Sequence, residues 1–209
     1  DKTCAIILEP LQGEGGINLA TQEFMEGIRK ICDENGILLV ADEVQTGFCR
    51  TGRMFATNYW EESGVQPDIL ATAKSIAAGV PLSAIVAREE IMEASAPGTI
   101  GGTFCGNALA CAAALKTIEI MERDDIAGRS CEIGEKVSKR FNEWKEKYPV
   151  IGDVRGLGGM IGLEFVKDQK TKEYHMLTGN MSGCLIGDYI IGQTKAVKGS
   201  LPADGVRKS

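Results

Sequence analysis

Histidine, aromatic residues and clustered basic residues are scarce in this sequence of 209 residues. It contains one histidine, His175, and 6% of its residues are aromatic. Its formal net charge is -6, and its 23 lysines and arginines form no cluster. Because binding to a phosphate backbone requires clustered cations, we predict no nucleic-acid partner. A single histidine and scattered cysteines give no zinc-ligand spacing, so we predict no metal site either.

Long apolar runs and paired cysteines are also missing. No run approaches the roughly 20 apolar residues that cross a bilayer, so we expect no membrane partner. The seven cysteines form no Cys-x-x-Cys pair, and most lie in apolar patterns, as small core residues do. Such thiols favour a reducing compartment, and we expect a cytoplasmic protein. The chain enters an apolar segment directly after Asp1-Lys2-Thr3, so we expect further residues upstream.

The usual nucleotide and hydrolase fingerprints are absent as well. A dinucleotide fingerprint needs glycine at its first, third and sixth positions. The pair Gly13 and Gly15 is followed by Asn18 at the sixth position, and the pair Gly156 and Gly158 by Ile161. There is no Walker A sequence and no Gly-x-Ser-x-Gly nucleophile motif. The segment Gly101-Gly102-Thr103 lies before a predicted helix. It could bind a phosphate through its hydroxyl and amides, or it could be a plain hinge.

Two apolar segments end in groups that can share one ligand. Residues 37–41 run into the adjacent carboxylates of Asp42 and Glu43, and residues 68–73 end at Lys74. We predict two buried strands of a parallel sheet, whose C-terminal ends form a ligand-binding edge. Asp42 and Lys74 would then hold one cofactor between them. The alternative interpretations are a carboxylate that caps a helix and a solvated lysine.

A lysine at such a position can act as a nucleophile. Its amine is weakly nucleophilic while protonated, but it loses the proton in a dry pocket or beside other cations. The neutral amine can then form a Schiff base with a carbonyl group. Lys74, at the end of its predicted strand, is the best-placed lysine for this chemistry.

The segments before Asp42 predict one βαβ unit. Residues 4–8 predict a short buried strand, which ends at Glu9-Pro10 because proline cannot donate to a sheet ladder. A helix follows the glycine-rich loop, with Thr21 as its N-cap and Gly36 as its end. The predicted apolar face of this helix consists of Phe24, Ile28, Ile31 and Cys32.

The segments after Asp42 predict a loop, two helices and two further strands. Residues 46–53 contain glycines and arginines without an apolar period, which predicts an ordered surface loop. Asn107 is the predicted N-cap of an alanine-rich helix, and a second helix follows at about 130–148. Its predicted core stripe consists of Ile133, Val137, Phe141, Trp144 and Tyr148. Strands are predicted near 150–155 and 159–166.

Four ordered motifs resemble the class III pyridoxal-phosphate aminotransferases, and their wording is most similar to the 4-aminobutyrate aminotransferases. The motifs are Glu9-Pro10-Leu11-Gln12-Gly13-Glu14-Gly15-Gly16, Ala41-Asp42-Glu43-Val44-Gln45-Thr46-Gly47, Ala73-Lys74-Ser75-Ile76-Ala77-Ala78-Gly79 and Gly101-Gly102-Thr103-Phe104-Cys105-Gly106-Asn107. The resemblance runs from residue 1 to about residue 170. It implies fold type I of the pyridoxal-phosphate-dependent transferases, an α/β fold. Residues 1–115 would be the C-terminal half of the large parallel or mixed-sheet cofactor domain and 116–171 part of the small α/β domain, with 172–209 a poorly packed tail.

The resemblance assigns a role to each residue that would contact the cofactor. Lys74 matches the lysine that forms the internal aldimine and moves the proton between substrate and cofactor. Asp42 matches the carboxylate paired with the pyridine nitrogen, where an ionised aspartate keeps the ring an electron sink. Val44 matches the residue packed on the ring face, and Gln45 the residue near its phenolic oxygen. Thr103 matches the phosphate ligand that the neighbouring subunit donates, which implies a homodimer.

The resemblance also implies a reaction and its substrates. Glu9 matches a carboxylate near the substrate that lets one pocket accept an ω-amine and an α-amino acid, and Arg155 is assigned a structural role. The implied reaction moves an amino group from an ω-amino donor such as 4-aminobutyrate to 2-oxoglutarate. The alternatives are an acetylornithine or ornithine aminotransferase and a truncated, non-catalytic α/β remnant.

Two departures from the family pattern bear on activity. The family's glycine-serine phosphate loop and the aromatic residue that stacks on the cofactor are not present in this sequence. The C-terminal arginine that binds the substrate carboxylate has no match either, because Arg207 lacks the strand that should carry it. We therefore expect the 209-residue fragment alone to be inactive.

Overall fold

A computed structural model describes residues 2–99, 101–168 and 173–177 of the chain. The first sheet contains β1 (Ala5–Leu8), β2 (Leu38–Asp42), β3 (Ile69–Thr72) and β4 (Ala84–Ala87). The second contains β5 (Ile151–Leu157), β6 (Met160–Asp168) and β7 (Glu173–Leu177). The helices are α1 (Gln22–Asn35), α2 (Glu89–Glu93), α3 (Ala108–Arg123) and α4 (Ile126–Lys147). Short 3-10 segments cover Ala56–Tyr59, Glu61–Ser63 and Lys74–Ala77.

The first sheet is mixed and confirms the predicted α/β class. Its strand order is β1-β2-β3-β4, with β1, β2 and β3 parallel and β4 antiparallel to β3. The register pairs Leu8 with Ala41 and Asp42 with Ala71. The C-terminal ends of the three parallel strands therefore lie at one edge of the sheet, where such sheets bind ligands.

The helix caps follow the local sequence signals. Thr21 Oγ1 accepts a hydrogen bond from Phe24 N at 3.2 Å, and Gly36 ends α1 in the left-handed conformation with φ 64°. Asn107 Oδ1 accepts a hydrogen bond from Leu109 N at 3.0 Å at the start of α3. Each cap satisfies backbone groups that a helix end leaves unpaired, so short sequence signals fix these boundaries.

The predicted apolar face of α1 is partly wrong. Phe24 is 51% exposed and Ile31 is 48% exposed. The buried stripe instead contains Met25, Ile28 and Cys32, which lie at helical spacing and pack on the first sheet. Ile28 and Cys32 stay on the buried side and Met25 takes the place of Phe24, so the buried stripe is shifted around the helix by less than the roughly 100° between successive residues.

The prediction of fully buried strands is wrong for one face of the first sheet. Leu39 and Ala41 are 1% and 2% exposed and belong to the face that α1 covers. On the opposite face, Ile7 is 67% exposed and Ile85 is 53% exposed. Successive strand residues point to opposite faces, so a helix on one side buries only alternate residues. No element in the described part of the chain covers the second face as α1 covers the first.

The segment 46–53 is buried, which corrects the prediction of a surface loop. The Arg50 carbonyl oxygen accepts hydrogen bonds from Gly159 N at 3.0 Å and from Ser130 Oγ at 2.9 Å. The start of α4 and the β5–β6 turn therefore cover this segment. Its buried residues are Thr46, Gly47, Phe48, Cys49 and Thr51, whereas Arg53 at its end is exposed.

Helix α4 and the hairpin β5–β6 form a second core. The helix begins four residues earlier than predicted, where Asp125 Oδ1 accepts a hydrogen bond from Gly128 N at 3.0 Å. Only the middle of its predicted core stripe is buried, since Ile133 and Trp144 are each 37% exposed. The buried residues of this core are Phe141, Ile151, Ile161 and Leu163.

A strand lies within the predicted poorly packed tail. Residues 173–177 form β7, which pairs antiparallel with β6, and the packing of the tail stays a prediction. The possible element at 184–191 and Arg207 lie outside the described residues. The division into domains at residues 115 and 171 stays a prediction.

The thiols are less buried than predicted. Cys32 and Cys49 are buried, and burial raises the pKa of both thiols above the ordinary value. Cys4, Cys105 and Cys111 are exposed, although their neighbours in the sequence are apolar.

None of the helices formed by the described residues has the length and apolar character needed to cross a membrane.

Two helical glycines are expected to respond oppositely to alanine. A Cβ at Gly134 of α4 would lie 2.0 Å from the Gly158 carbonyl oxygen, whereas a Cβ at Gly27 of α1 meets nothing within 4 Å. Gly134→Ala should therefore destabilise the chain by about 1–3 kcal/mol. Gly27→Ala should stabilise it by up to about 1 kcal/mol, since alanine is the better helix former. Urea denaturation of both variants tests this, and equal effects would contradict the close approach at Gly134.

Candidate cofactor site

Lys74 lies directly beyond β3, at the first position of a 3-10 segment. Its backbone adopts φ 48°, a left-handed conformation that is uncommon outside glycine. Its amine donates a hydrogen bond to Gln45 Oε1 at 3.3 Å. The residue is exposed, so the described residues alone do not provide the dry pocket expected for a reactive lysine.

Gln45 connects Lys74 to the glycine-rich loop after β1. A Cβ at Gly13 would lie 2.2 Å from Gln45 Oε1, so any larger residue at position 13 would displace this amide. The backbone N–H of Gly13 donates a hydrogen bond to Glu9 Oε2. The structure therefore places Glu9, Gln45 and Lys74 along one edge of the sheet, linked through Gly13.

Asp42 lies at the same edge, as the last residue of β2. Its side chain is half-buried, and its Oδ1 accepts a hydrogen bond from Val44 N at 3.1 Å. Within the described ranges, no hydrogen bond occupies the second carboxylate oxygen. That oxygen can accept a hydrogen bond from a ligand. Val44 is half-buried next to it.

Thr103 lies apart from the other predicted residues. It is exposed in the turn that precedes α3. Among the described residues, no hydrogen bond or ion pair joins it to Asp42, Gln45 or Lys74. The assignment of Thr103 to a site on a neighbouring subunit stays a prediction.

A cavity of about 430 Å³ lies beside Lys74. Three of its lining residues were not predicted from the sequence, namely Arg50, Thr117 and Met121. Arg50 belongs to the misassigned loop, and the other two belong to α3, more than forty residues along the chain from Lys74. No local pattern marks them, because only the packing of α3 on the 3-10 segment brings them to the cavity.

Glu43 has a structural role that sequence reasoning missed. Its side chain is fully buried and accepts hydrogen bonds from Ala56 N at 3.0 Å, Thr57 N at 2.8 Å and the Thr46 hydroxyl at 2.5 Å. It therefore holds the start of the 3-10 segment Ala56–Tyr59. Adjacent carboxylates at the end of β2 thus have separate roles, since Asp42 faces the site edge and Glu43 anchors a loop.

Asp68 is a buried carboxylate held by two arginines. Its Oδ2 accepts hydrogen bonds from Leu39 N at 2.8 Å and Arg29 Nη1 at 2.9 Å, and its Oδ1 lies 3.1 Å from Arg88 Nη2. Burial opposes ionisation, but the hydrogen bonds and the arginine charges outweigh it and lower the pKa of Asp68.

Across the described ranges, no group of three or more potential metal ligands occurs.

We predict that the free energy of unfolding falls in acid because of the Asp68 carboxylate. Because its folded pKa lies below the unfolded value of about 3.9, its contribution is complete above that pH and is lost as pH falls through the folded pKa. Asp68→Asn should lower the free energy of unfolding at pH 7 by about 1–3 kcal/mol and flatten this acid limb. Asp33→Asn removes an exposed partner of the same Arg29 and should cost less than about 0.5 kcal/mol. Equal slopes below pH 4 in wild type and Asp68→Asn would contradict this assignment.

Comparison with known proteins decides the family. Residues 1–196 match the family model described as aminotransferase class-III. The chain belongs to the class III aminotransferases. It is 52% identical over 160 residues to the 5-aminovalerate aminotransferase DavT of Pseudomonas putida. This match covers 77% of this chain and 37% of that relative. It is 44% identical over 173 residues to a probable 4-aminobutyrate aminotransferase of Bacillus subtilis, covering 83% of this chain and 39% of the relative.

Solved structures of an amine transaminase and an ornithine aminotransferase share the fold. An amine transaminase from an uncultivated Pseudomonas species, in its PLP-bound form, has a TM-score of 0.74 at 40% identity over 80% of this chain and 39% of that one. The ornithine aminotransferase of Toxoplasma gondii has a TM-score of 0.72 at 39% identity over 77% of this chain and 38% of that one. The chain thus spans roughly two fifths of the length of the curated relatives it matches.

Pyridoxal phosphate is the cofactor of this family, and the residues at the sheet edge fit it. Lys74 supplies an amine, Gln45 an amide beside it, and Asp42 a carboxylate with one free oxygen. These are the groups that an aldehyde carbon, a phenolic oxygen and a protonated pyridine nitrogen require. These three side chains match the ring and the aldehyde group of the cofactor. They do not account for its phosphate group, for which Thr103 is the one predicted ligand.

Proposed function

We propose that the whole protein is an aminotransferase that moves the amino group of an ω-amino acid, such as 4-aminobutyrate, to 2-oxoglutarate. The observation that carries the proposal is the Lys74–Gln45 hydrogen bond at 3.3 Å, at the sheet edge where Asp42 also ends its strand. The relatives named above act on 4-aminobutyrate and 5-aminovalerate. Both donors carry a terminal amine and a distant carboxylate, which supports this substrate class.

Each residue at the edge has a chemical task in this proposal. Pyridoxal phosphate, when bound, supplies the electron sink that stabilises a substrate carbanion. Asp42 would accept a hydrogen bond from the pyridine nitrogen and keep that nitrogen protonated. Lys74 would hold the cofactor through its amine and move a proton at the substrate carbon. Gln45 orients the Lys74 amine and would contact the phenolic oxygen, and Glu9 would face the substrate.

The proposed assembly is a homodimer. Next to Thr103, Phe104 is 82% exposed, and on α3 Leu109 and Leu115 are 72% and 73% exposed. Large apolar side chains exposed on one helix and in the turn before it support an interface, and a second copy of the chain would cover them. Sedimentation of the full-length protein should give a dimer at micromolar concentration, whereas a monomer at the highest accessible concentration would overturn this assembly.

The amino donor has one specific competitor. The acetylornithine aminotransferase of Methanocaldococcus jannaschii is 48% identical over 164 residues, covering 78% of this chain and 40% of that relative. Transfer by the full-length protein from 4-aminobutyrate, 5-aminovalerate, ornithine and acetylornithine to 2-oxoglutarate separates the candidates. We expect the first two donors to react with a kcat/KM at least about tenfold higher than acetylornithine. A preference for acetylornithine would favour the competitor, and no transfer from any donor would favour a non-catalytic protein.

For the 209-residue chain alone, we propose that no transfer occurs. Lys74 is exposed and one face of the first sheet is uncovered in the described residues. The described residues therefore do not enclose this amine in the closed pocket that a reacting lysine needs. Transfer by the purified 209-residue chain at a rate close to that of the full-length protein would contradict this proposal.

A further inference from the structure

Arg155 of β5 connects the second sheet to the glycine-rich loop of the first. Its Nε and Nη2 both donate to the Gly16 carbonyl oxygen, at 2.9 and 2.7 Å. Its Nη1 donates to Asp153 at 3.0 Å and to Glu164 at 2.5 Å. One guanidinium therefore holds a backbone oxygen of a loop 139 residues earlier in the chain, while two carboxylates orient it.

The hydrogen bonds continue from Gly16 to Glu9. Gly16 N donates to the Gly13 carbonyl oxygen at 3.1 Å, which closes a tight turn. Gly13 N then donates to the Glu9 carboxylate. An unbroken series of hydrogen bonds thus runs from Arg155 through the 13–16 turn to the side chain that faces the proposed substrate.

The loop needs an external hold, because its backbone is strained. Ile17 adopts φ 55°, a left-handed conformation that a β-branched residue rarely takes. Its side chain is 1% exposed and packs with Leu11 and Met160. A Cβ at Gly162 of β6 would come within 3.1 Å of Ile17. The β5–β6 hairpin therefore fixes the loop from one side by packing, while Arg155 fixes it by hydrogen bonds.

We propose that Arg155 is a positioning residue that sets the orientation of Glu9 through the 13–16 turn. This inference deepens the proposed function and rests on it, because it assumes that Glu9 faces the substrate. Lysine cannot replace Arg155, since a single ammonium group cannot direct two donors at the Gly16 carbonyl oxygen while reaching both carboxylates. Movement of the β5–β6 hairpin relative to the first sheet would change the position of the Glu9 carboxylate.

The first test measures the loop directly in the full-length protein. Arg155→Lys is compared with Arg140→Lys, which alters an exposed ion pair with Glu143 on α4. Hydrogen exchange at the Gly13 and Gly16 amides should become at least about tenfold faster in Arg155→Lys and stay unchanged in Arg140→Lys. Unchanged protection in Arg155→Lys would overturn the proposal, and so would faster exchange throughout β5 and β6, since that pattern marks general destabilisation.

The second test asks whether the loop acts through Glu9. Single-turnover rates are measured with 4-aminobutyrate and with glutamate for wild type, Arg155→Lys, Glu9→Gln and the double variant. Arg155→Lys should change the ratio of the two rates by about fivefold or more, in the same direction as Glu9→Gln, and the double variant should change it no further. An unchanged ratio, or additive effects, would overturn the proposal. Failure of the wild type to react with either donor would refute the proposed function, and the exchange measurement would still decide whether Arg155 holds the loop.

Discussion

Replacement of Lys74 by alanine is expected to abolish covalent attachment of pyridoxal phosphate to the full-length protein. Among the described residues that line the cavity beside Gln45, Lys74 is the one lysine. Without its amine, this lining has no second lysine to bond to the aldehyde carbon or to move the proton at the substrate carbon. Amino-group transfer should fall by at least about a thousandfold, comparable to the loss of other nucleophiles.

The visible absorbance of the bound cofactor and the transfer rate measure this effect. Lys116→Ala is the matched control, because Lys116 is exposed on α3 and pairs with Glu119. The control should keep both absorbance and activity. Wild-type absorbance in Lys74→Ala would show that another amine holds the cofactor, and the proposed role of Lys74 would be lost.

Glu43→Ala is expected to be the most destabilising single substitution that we consider. It would leave the Thr46 hydroxyl and the backbone N–H groups of Ala56 and Thr57 buried without an acceptor. Unpaired buried donors and the cavity left by the side chain together cost about 3–5 kcal/mol. That loss is a large part of the roughly 5–15 kcal/mol that stabilises a typical domain.

Urea denaturation of Glu43→Ala, Glu43→Gln and Glu119→Ala measures this effect. Glutamine keeps the shape and one acceptor but places an amide N–H₂ among donors, so its loss should be smaller than that of alanine. Glu119 is exposed and, within the part of the chain that the structure describes, pairs with Lys116, so its replacement should cost less than about 0.5 kcal/mol. A Glu43→Ala variant within about 1 kcal/mol of wild type would show that the three hydrogen bonds contribute little.

The features predicted correctly from the sequence are those that depend on neighbouring residues. Thr21, Gly36 and Asn107 mark helix ends because each side chain or backbone conformation acts within one turn. The parallel strands before Asp42 and Lys74 were equally visible, since β-branched and aliphatic runs between loops are typical of such strands. These signals are local, so the rest of the fold does not change them.

The features predicted wrongly depend on contacts between distant segments. The loop 46–53 has a polar sequence, yet Ser130 and Gly159 cover it with hydrogen bonds to Arg50. One face of the first sheet is exposed because no element in the described residues covers it. No pattern within a strand reveals whether such a covering element exists. The burial of Glu43 depends on a 3-10 segment thirteen residues later.

The candidate site shows the same division. Asp42 and Lys74 could be paired from their positions at strand ends, while the roles of Gln45, Glu9 and Thr103 came from the family resemblance. Thr117 and Met121 reach the cavity through packing of α3, Arg50 lies on the loop 46–53, and none of the three gave a sequence signal. The link from Arg155 to Glu9 was also invisible, because the Arg155 side chain binds a turn 139 residues earlier in the chain and the link then passes through the backbone of that turn.

The identity of the lysine that binds the cofactor tests the central claim most directly. The full-length protein is incubated with pyridoxal phosphate, reduced with borohydride to fix the adduct, digested and analysed by peptide mass spectrometry. We predict that the pyridoxyl group is found on the peptide that contains Lys74, at close to one group per chain. A modified peptide that lacks Lys74, or labelling spread over many exposed lysines, would contradict the account.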